Sequence, residues 1–150
     1  MDQQRRDVLR FASVLGLMAA SGLISTAQAE EWSRGAFAEK SLDSVFRVLG
    51  ADKAESASVM TFTAPEIAEN GAVVPVVVST SVKAEQIAIL VEKNPNPLAA
   101  QFFLSARAEP FVAARIKMAE TSRVFALAKV NGQWLMDSKE IKVTIGGCGG

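Results

Sequence analysis

The only cysteine of the 150-residue chain, Cys148, stands in a run of glycines, Gly146-Gly147-Cys148-Gly149-Gly150. Because glycine has no Cβ and accepts most backbone conformations, this run predicts a thiol presented with little steric bulk. Fully extended, five residues would reach roughly 17 Å. The pattern predicts a flexible arm over residues 146–150 with a nucleophilic thiol, Cys148, near its tip and with Gly146, Gly147, Gly149 and Gly150 giving the arm its flexibility.

The sequence gives this thiol no catalytic partner. The chain has no histidine, which removes the common zinc sites and any Ser-His or Cys-His pair. A free cysteine has a pKa of about 8.5 unless a cation, a metal or a helix start lowers it, and the nearest cation in the sequence is Lys142. We therefore expect no catalytic residue, no metal ligand and no cofactor.

The charged residues are balanced, with 16 basic and 16 acidic side chains. This balance gives no electrostatic basis for binding nucleic acid. Arg107, Arg115, Lys117 and Arg123 could form a cationic patch for an anionic cargo or a partner. They could equally belong to the solvated outer side of a sheet.

Residues 1–29 have the features of an export signal. Arg5 and Arg6 precede an apolar stretch over residues 11–24, and Ala27-Gln28-Ala29 supplies a cleavage pattern. The paired arginines favour the Tat route to the bacterial periplasm. The apolar stretch is shorter than the ~20 residues that span a bilayer. We therefore expect a signal that is cleaved and no membrane contact after cleavage. An uncleaved membrane anchor is the alternative.

The mature chain is predicted to begin with one amphipathic helix over residues 32–49. Leu42, Val45, Phe46 and Leu49 recur on one face, and Gly50 is placed to end the helix. Such a stripe packs either on its own domain or on a partner's surface.

Short strands separated by turns follow the helix. Pro75 indicates an edge or a bulge, and Asn131-Gly132 is the strongest hairpin signal. The predicted strands cover residues 59–63, 73–81, 86–92, a segment opening at 102–104, 111–118, 122–130, 133–136 and 140–145. The fold class is therefore mainly β: an immunoglobulin-like sandwich with an N-terminal amphipathic helix over residues 30–145, followed by the arm.

Taken together, these residues resemble the SoxY-type sulfur carriers of thiosulfate oxidation. The resemblance rests on the glycine-flanked cysteine after Val143-Thr144-Ile145 and covers essentially the whole chain. Four further stretches carry it: Pro65-Glu66-Ile67-Ala68-Glu69-Asn70-Gly71, Val74-Pro75-Val76, Asn94-Pro95-Asn96-Pro97 and Arg115-Ile116-Lys117-Met118-Ala119.

The resemblance implies a heterodimer with a SoxZ-type subunit, exported already folded. It also implies that a c-type cytochrome joins thiosulfate to Cys148 as an S-thiosulfonate and that a dimanganese hydrolase then releases sulfate. In some organisms a molybdenum sulfane dehydrogenase oxidises the persulfide sulfur that remains. The carrier would present each intermediate to these enzymes in turn.

Three alternatives from other classes remain open at this point. One is a secreted sandwich domain with a structural role that dimerises through a Cys148 disulfide, a reaction that the oxidising periplasm permits. Another is an enzyme with Cys148 as its nucleophile, which would need a lysine or a carboxylate as base. The third is a ubiquitin-like sulfur donor, which neither an exported chain nor this strand pattern suits.

Overall fold

Eight strands in two sheets and one full helix make up the part of the chain that the computed structural model describes, residues 34–147. In chain order they are α1 Leu42–Leu49, β1 Met60–Thr63, β2 Ile67–Asn70, β3 Val74–Thr80, β4 Gln86–Val91, β5 Leu98–Phe103, β6 Phe111–Ile116, β7 Ser122–Val130 and β8 Gln133–Ile145. The predicted export signal, Trp32, Cys148, Gly149 and Gly150 lie outside the described residues.

The strands form a three-stranded sheet in the order β1-β3-β6 and a five-stranded sheet in the order β2-β8-β7-β4-β5. Every pairing is antiparallel except that of β2 with β8. Alternate side chains of each strand point inward, as in Val74, Val76 and Val78 of β3, and bury one apolar core between the sheets. The predicted mainly β sandwich is confirmed.

Strand β4 is buried on both faces, which explains why it is a continuous apolar run rather than an alternating one. Ile87 and Ile89 belong to the core between the sheets. Ala88 and Leu90 belong to a second apolar cluster on the outer face of the five-stranded sheet, where Val45 of α1 is fully buried. The predicted apolar stripe therefore packs on its own domain.

The prediction of one helix over residues 32–49 is wrong in its extent. Residues 34–38 are helical, residues 39–41 are not, and α1 begins at Leu42. Ser41 is extended and its hydroxyl accepts the Ser44 N–H at 3.2 Å, so it starts a new helix where the apolar periodicity alone suggested continuity. Gly50 ends α1 with φ 70°, as predicted.

Strand boundaries differ from the predictions by more than two residues at three places. Strand β2 was not predicted, because only Ala68 of its four residues is buried. Strand β5 begins at Leu98, ahead of the predicted start at residue 102. Strand β8 is continuous across residues 137–139. These residues are polar and at most half-buried, so the apolar pattern did not predict them as part of a strand.

Two turn-forming signals were interpreted correctly. Asn131 and Gly132 have φ values of 50° and 76° and join β7 to β8. Pro75 lies on the central strand of its sheet, but the pairing with β1 stops at Val77, so no β1 residue faces it. Pro75 therefore occupies a local edge, where its missing N–H costs no ladder hydrogen bond.

Candidate functional site

The glycine run that contains Cys148 follows directly from β8, so the end of this strand sets where the run begins. Strand β8 is paired with β7 as far as Ile141 and continues alone on that side to Ile145. The Thr121 hydroxyl replaces β7 there by accepting the Val143 N–H at 2.9 Å. On the other side β2 pairs in parallel up to Asn70 and Ile145. The strand is thus supported on both sides up to the run.

Three backbone hydrogen bonds then close a ring around the first glycines of the run. The Gly71 N–H donates to the Ile145 carbonyl at 2.7 Å, and the Met118 N–H donates to the Gly71 carbonyl at 2.7 Å. The Gly147 N–H donates to the Met118 carbonyl at 2.9 Å. We call these four residues, Gly71, Met118, Ile145 and Gly147, the tail anchor.

Three glycines let the segments of the anchor approach one another closely. A Cβ at Gly71 would lie 2.4 Å from the Met118 oxygen, and one at Gly146 would lie 2.3 Å from the Ala119 oxygen. A Cβ at Gly147 would lie 2.5 Å from the Gly71 oxygen. Each obstructing atom is backbone, which cannot rotate away. Gly146 and Gly147, predicted as flexible parts of the arm, are therefore required here by close packing.

The Met118 carbonyl, which accepts the Gly147 N–H, is held in place by the side chain of Asn94 from another loop. Asn94, between β4 and β5, donates from its Nδ2 to the Lys117 carbonyl at 2.8 Å and accepts the Ala119 N–H at its Oδ1 at 2.9 Å. These two bonds bracket Met118, whose side chain is fully buried in the core. The Met118 carbonyl is therefore fixed by bonds on both sides and by packing.

Two large apolar side chains beside the anchor are exposed. Ile145 is 68% exposed and Val73 is 51% exposed, although both are large apolar side chains that usually avoid water. The nearest ion pair, Lys93 with Glu120 at 3.2 Å, is well exposed and contributes little to stability.

Among residues 34–147 no cluster of acidic side chains could hold a metal ion, and no helix there has the length and hydropathy to cross a membrane.

The structure brings together only part of what the sequence predicted for the site. Gly146 and Gly147 lie at the anchor, whereas Cys148, Gly149 and Gly150 are outside the described residues. Arg115 and Arg123 are exposed and belong to β6 and β7, which lie in different sheets.

Sequence reasoning missed Gly71, Met118 and Asn94 as parts of the site. The one available signal was that the stretches carrying the family resemblance include all three residues. The structure shows that these stretches meet at the base of the glycine run.

Comparison with known proteins gives one family. Residues 46–148 match the family described as "Sulfur oxidation protein SoxY". Among solved structures, the chain is similar to the sulfur carrier protein SoxY from Chlorobium limicola f thiosulfatophilum, with a TM-score of 0.60 and 35% sequence identity over 69% of this chain and 96% of that chain. No curated protein matches the sequence.

Proposed function

Because the chain belongs to the SoxY family of sulfur oxidation proteins, we propose that it is a sulfur carrier on which Cys148 holds the cargo. The observation that carries this proposal is the extent of the family match, which runs to residue 148 and so includes the only cysteine. The similar Chlorobium structure is itself a sulfur carrier protein.

The proposed chemistry begins with thiosulfate. The Cys148 thiol and thiosulfate would join through a new S–S bond, releasing one proton and two electrons, and the electrons would pass to a c-type cytochrome. Water would then attack the terminal sulfonate sulfur, releasing sulfate and leaving a persulfide on Cys148. A dimanganese hydrolase would catalyse this second step, and a molybdenum sulfane dehydrogenase would oxidise the persulfide sulfur where an organism has one.

The carrier itself needs no catalytic group for these steps, which agrees with its sequence. A catalyst would place a base or a cation beside the thiol to form thiolate. A carrier meets that group inside each partner enzyme. We therefore propose a non-enzymatic subunit that works with Sox-system partners, including a SoxZ-type subunit in a heterodimer.

The place of this chemistry is proposed from the first 29 residues. Their paired arginines, apolar stretch and Ala27-Gln28-Ala29 pattern support Tat export to the periplasm. Tat export of a folded carrier would allow a SoxZ-type partner without its own signal to be exported with it.

Intact-mass spectrometry of the carrier from cells grown with and without thiosulfate tests the proposed function. We expect sulfur-containing adducts only with thiosulfate, removed by reductant and absent from Cys148→Ser. A wild-type chain that stays unmodified under thiosulfate oxidation would contradict the proposal. A reductant-sensitive doubling of mass, with no adduct, would instead indicate the disulfide-linked structural dimer.

A further inference from the structure

We infer that Gly71 is a positioning residue for Cys148: it fastens the base of the glycine run to the sandwich, so that Cys148 is presented one residue from a fixed backbone. This inference rests on the proposed carrier function and adds a residue distant in sequence to the sulfur site. It starts from the tail anchor, in which Gly71 both donates to Ile145 and accepts from Met118.

Gly71 suits this role because no other residue fits its place. It is buried, and a Cβ there would lie 2.4 Å from the Met118 oxygen, 2.8 Å from the Gly147 nitrogen and 2.9 Å from Val143 Cγ1. Its φ is not in the left-handed region, so the requirement for glycine comes from space alone. Any side chain at position 71 would push the Gly147 N–H away from its acceptor.

Asn94 supports the same geometry independently. Its two hydrogen bonds hold residues 117 and 119 on either side of Met118, whose carbonyl accepts the Gly147 N–H. Loss of the Asn94 side chain would remove the two hydrogen bonds that bracket this carbonyl and so loosen it, without any change at Gly71 or in β8. Two separate substitutions should therefore release the same tail.

The anchor changes how far the cargo can travel. If the run were free from Ile145 onward, the Cys148 Cα could move roughly 10 Å from the strand end, at about 3.3–3.6 Å per residue. Held at Gly147, the Cys148 Cα stays within about 3.8 Å of the last anchored Cα. A partner enzyme must then approach the surface around Ile145 and Val73. The Cys148 thiol samples few positions before it reaches a geometry in which it can react.

The experiment compares the full mature carrier with two variants and their matched controls. Gly71→Ala is paired with Gly35→Ala, where a Cβ meets nothing within 4 Å. Asn94→Ala is paired with Asn96→Ala in the same loop, because Asn96 donates to the Phe37 carbonyl at 2.8 Å instead. Amide hydrogen exchange at Gly147 and the line shape of a nitroxide on Cys148 report the anchor directly.

We expect the Gly147 amide to be protected at least tenfold in the wild type and both controls. Protection should be lost, and the nitroxide should become more mobile, in Gly71→Ala and Asn94→Ala. Sulfur loading by the conjugating enzyme should show a KM for the carrier raised about tenfold, whereas alkylation by iodoacetamide should be unchanged or faster. A folding defect alone would not separate these two reactions.

Other outcomes overturn the inference. An unprotected Gly147 amide in the wild type, or tail mobility and KM unchanged in both variants, would show that the anchor does not position the thiol. If Gly71→Ala does not fold, Asn94→Ala decides the matter by itself. A carrier that loads sulfur with an unprotected Gly147 contradicts only the anchor. A protected Gly147 in a chain that never takes up sulfur contradicts the carrier function and retains the anchor.

Discussion

Glycine serves this chain in two physically different ways. Gly50 and Gly132 have positive φ values of 70° and 76°, and a Cβ at either would meet open space. Gly71 and Gly147 have no positive φ but would place a Cβ against backbone atoms. The first pair answers a conformational requirement and the second a steric one. In the proposed carrier a third use, entry of the tail into partner enzymes, falls on Gly149 and Gly150.

The steric argument for the tail gives a prediction at Gly149. Gly149→Val adds a branched side chain beside Cys148 and restricts φ and ψ, so enzymatic loading of thiosulfate should fall at least tenfold. The unfolding transition should stay unchanged, because the core lies within residues 34–147. Loading kinetics and thermal unfolding measure the two effects. Wild-type loading by the variant would refute entry of the tail into a narrow partner channel, with iodoacetamide alkylation as the control for thiol reactivity.

At the level of elements, α1 is fastened to the five-stranded sheet at its C-terminal end and along one face. Ser41 caps its start, and the Trp134 indole N–H donates to the Leu49 carbonyl at its end, at 3.1 Å. Between these points Val45 is buried and Phe46 meets Phe125 edge-on at a ring distance of 5.9 Å. The helix is therefore a cover for β4 and β7 rather than a free element.

Trp134→Phe should lower the free energy of unfolding by about 1 kcal/mol, the usual net value of one hydrogen bond. The variant keeps an aromatic ring in the second apolar cluster but leaves the Leu49 carbonyl without the indole donor. Urea unfolding followed by far-UV circular dichroism measures the change. Trp134→Phe also weakens the contact between Lys129 Nζ and the Trp134 ring, whose centroid lies 5.7 Å away. Lys129→Gln is therefore the control, because it removes this contact and keeps the indole hydrogen bond. An unchanged stability in Trp134→Phe would show that the indole bond contributes nothing.

The whole molecule is held by apolar burial without a disulfide, since the chain has one cysteine. Strand β4 is central to this, with Ile87, Ala88, Ile89, Leu90 and Val91 all fully buried. It joins the core between the sheets to the cluster under α1. A smaller side chain in β4 would therefore leave a cavity in one of these two clusters. Within residues 34–147, no flexible surface segment lies beside β4 to fill that cavity.

Ile89→Ala should cost about 2–5 kcal/mol of unfolding free energy, the range for removing a large aliphatic side chain from a core. Ile67→Ala on β2 is the matched control, because Ile67 is 58% exposed and should change stability by less than about 1 kcal/mol. Equilibrium urea unfolding measures both, with reductant present to keep Cys148 monomeric. Equal losses in the two variants would show that burial does not decide stability here.

The sequence by itself determined what depends on neighbouring residues. The alternation of apolar side chains predicted most strands, the stripe of Val45 and Phe46 predicted a packed helix, and Asn131-Gly132 predicted the hairpin. Local patterns did not predict β2, because one buried side chain in four residues gives no visible period. Local patterns also predicted helix at Ser41, where a new helix begins. A capping hydroxyl interrupts a helix without interrupting its apolar stripe.

Only the tertiary structure decided where the glycine run leaves the body of the protein. The tail anchor joins residues 71, 118 and 147, and its bonds are between backbone groups, which every residue carries and no side-chain pattern reveals. Asn94 acts on it across 24 residues of chain, the separation from Met118. The sequence thus indicated which atom carries the sulfur, and the fold shows what holds the chain beside it, because close approach of distant backbones exists only once the strands have paired.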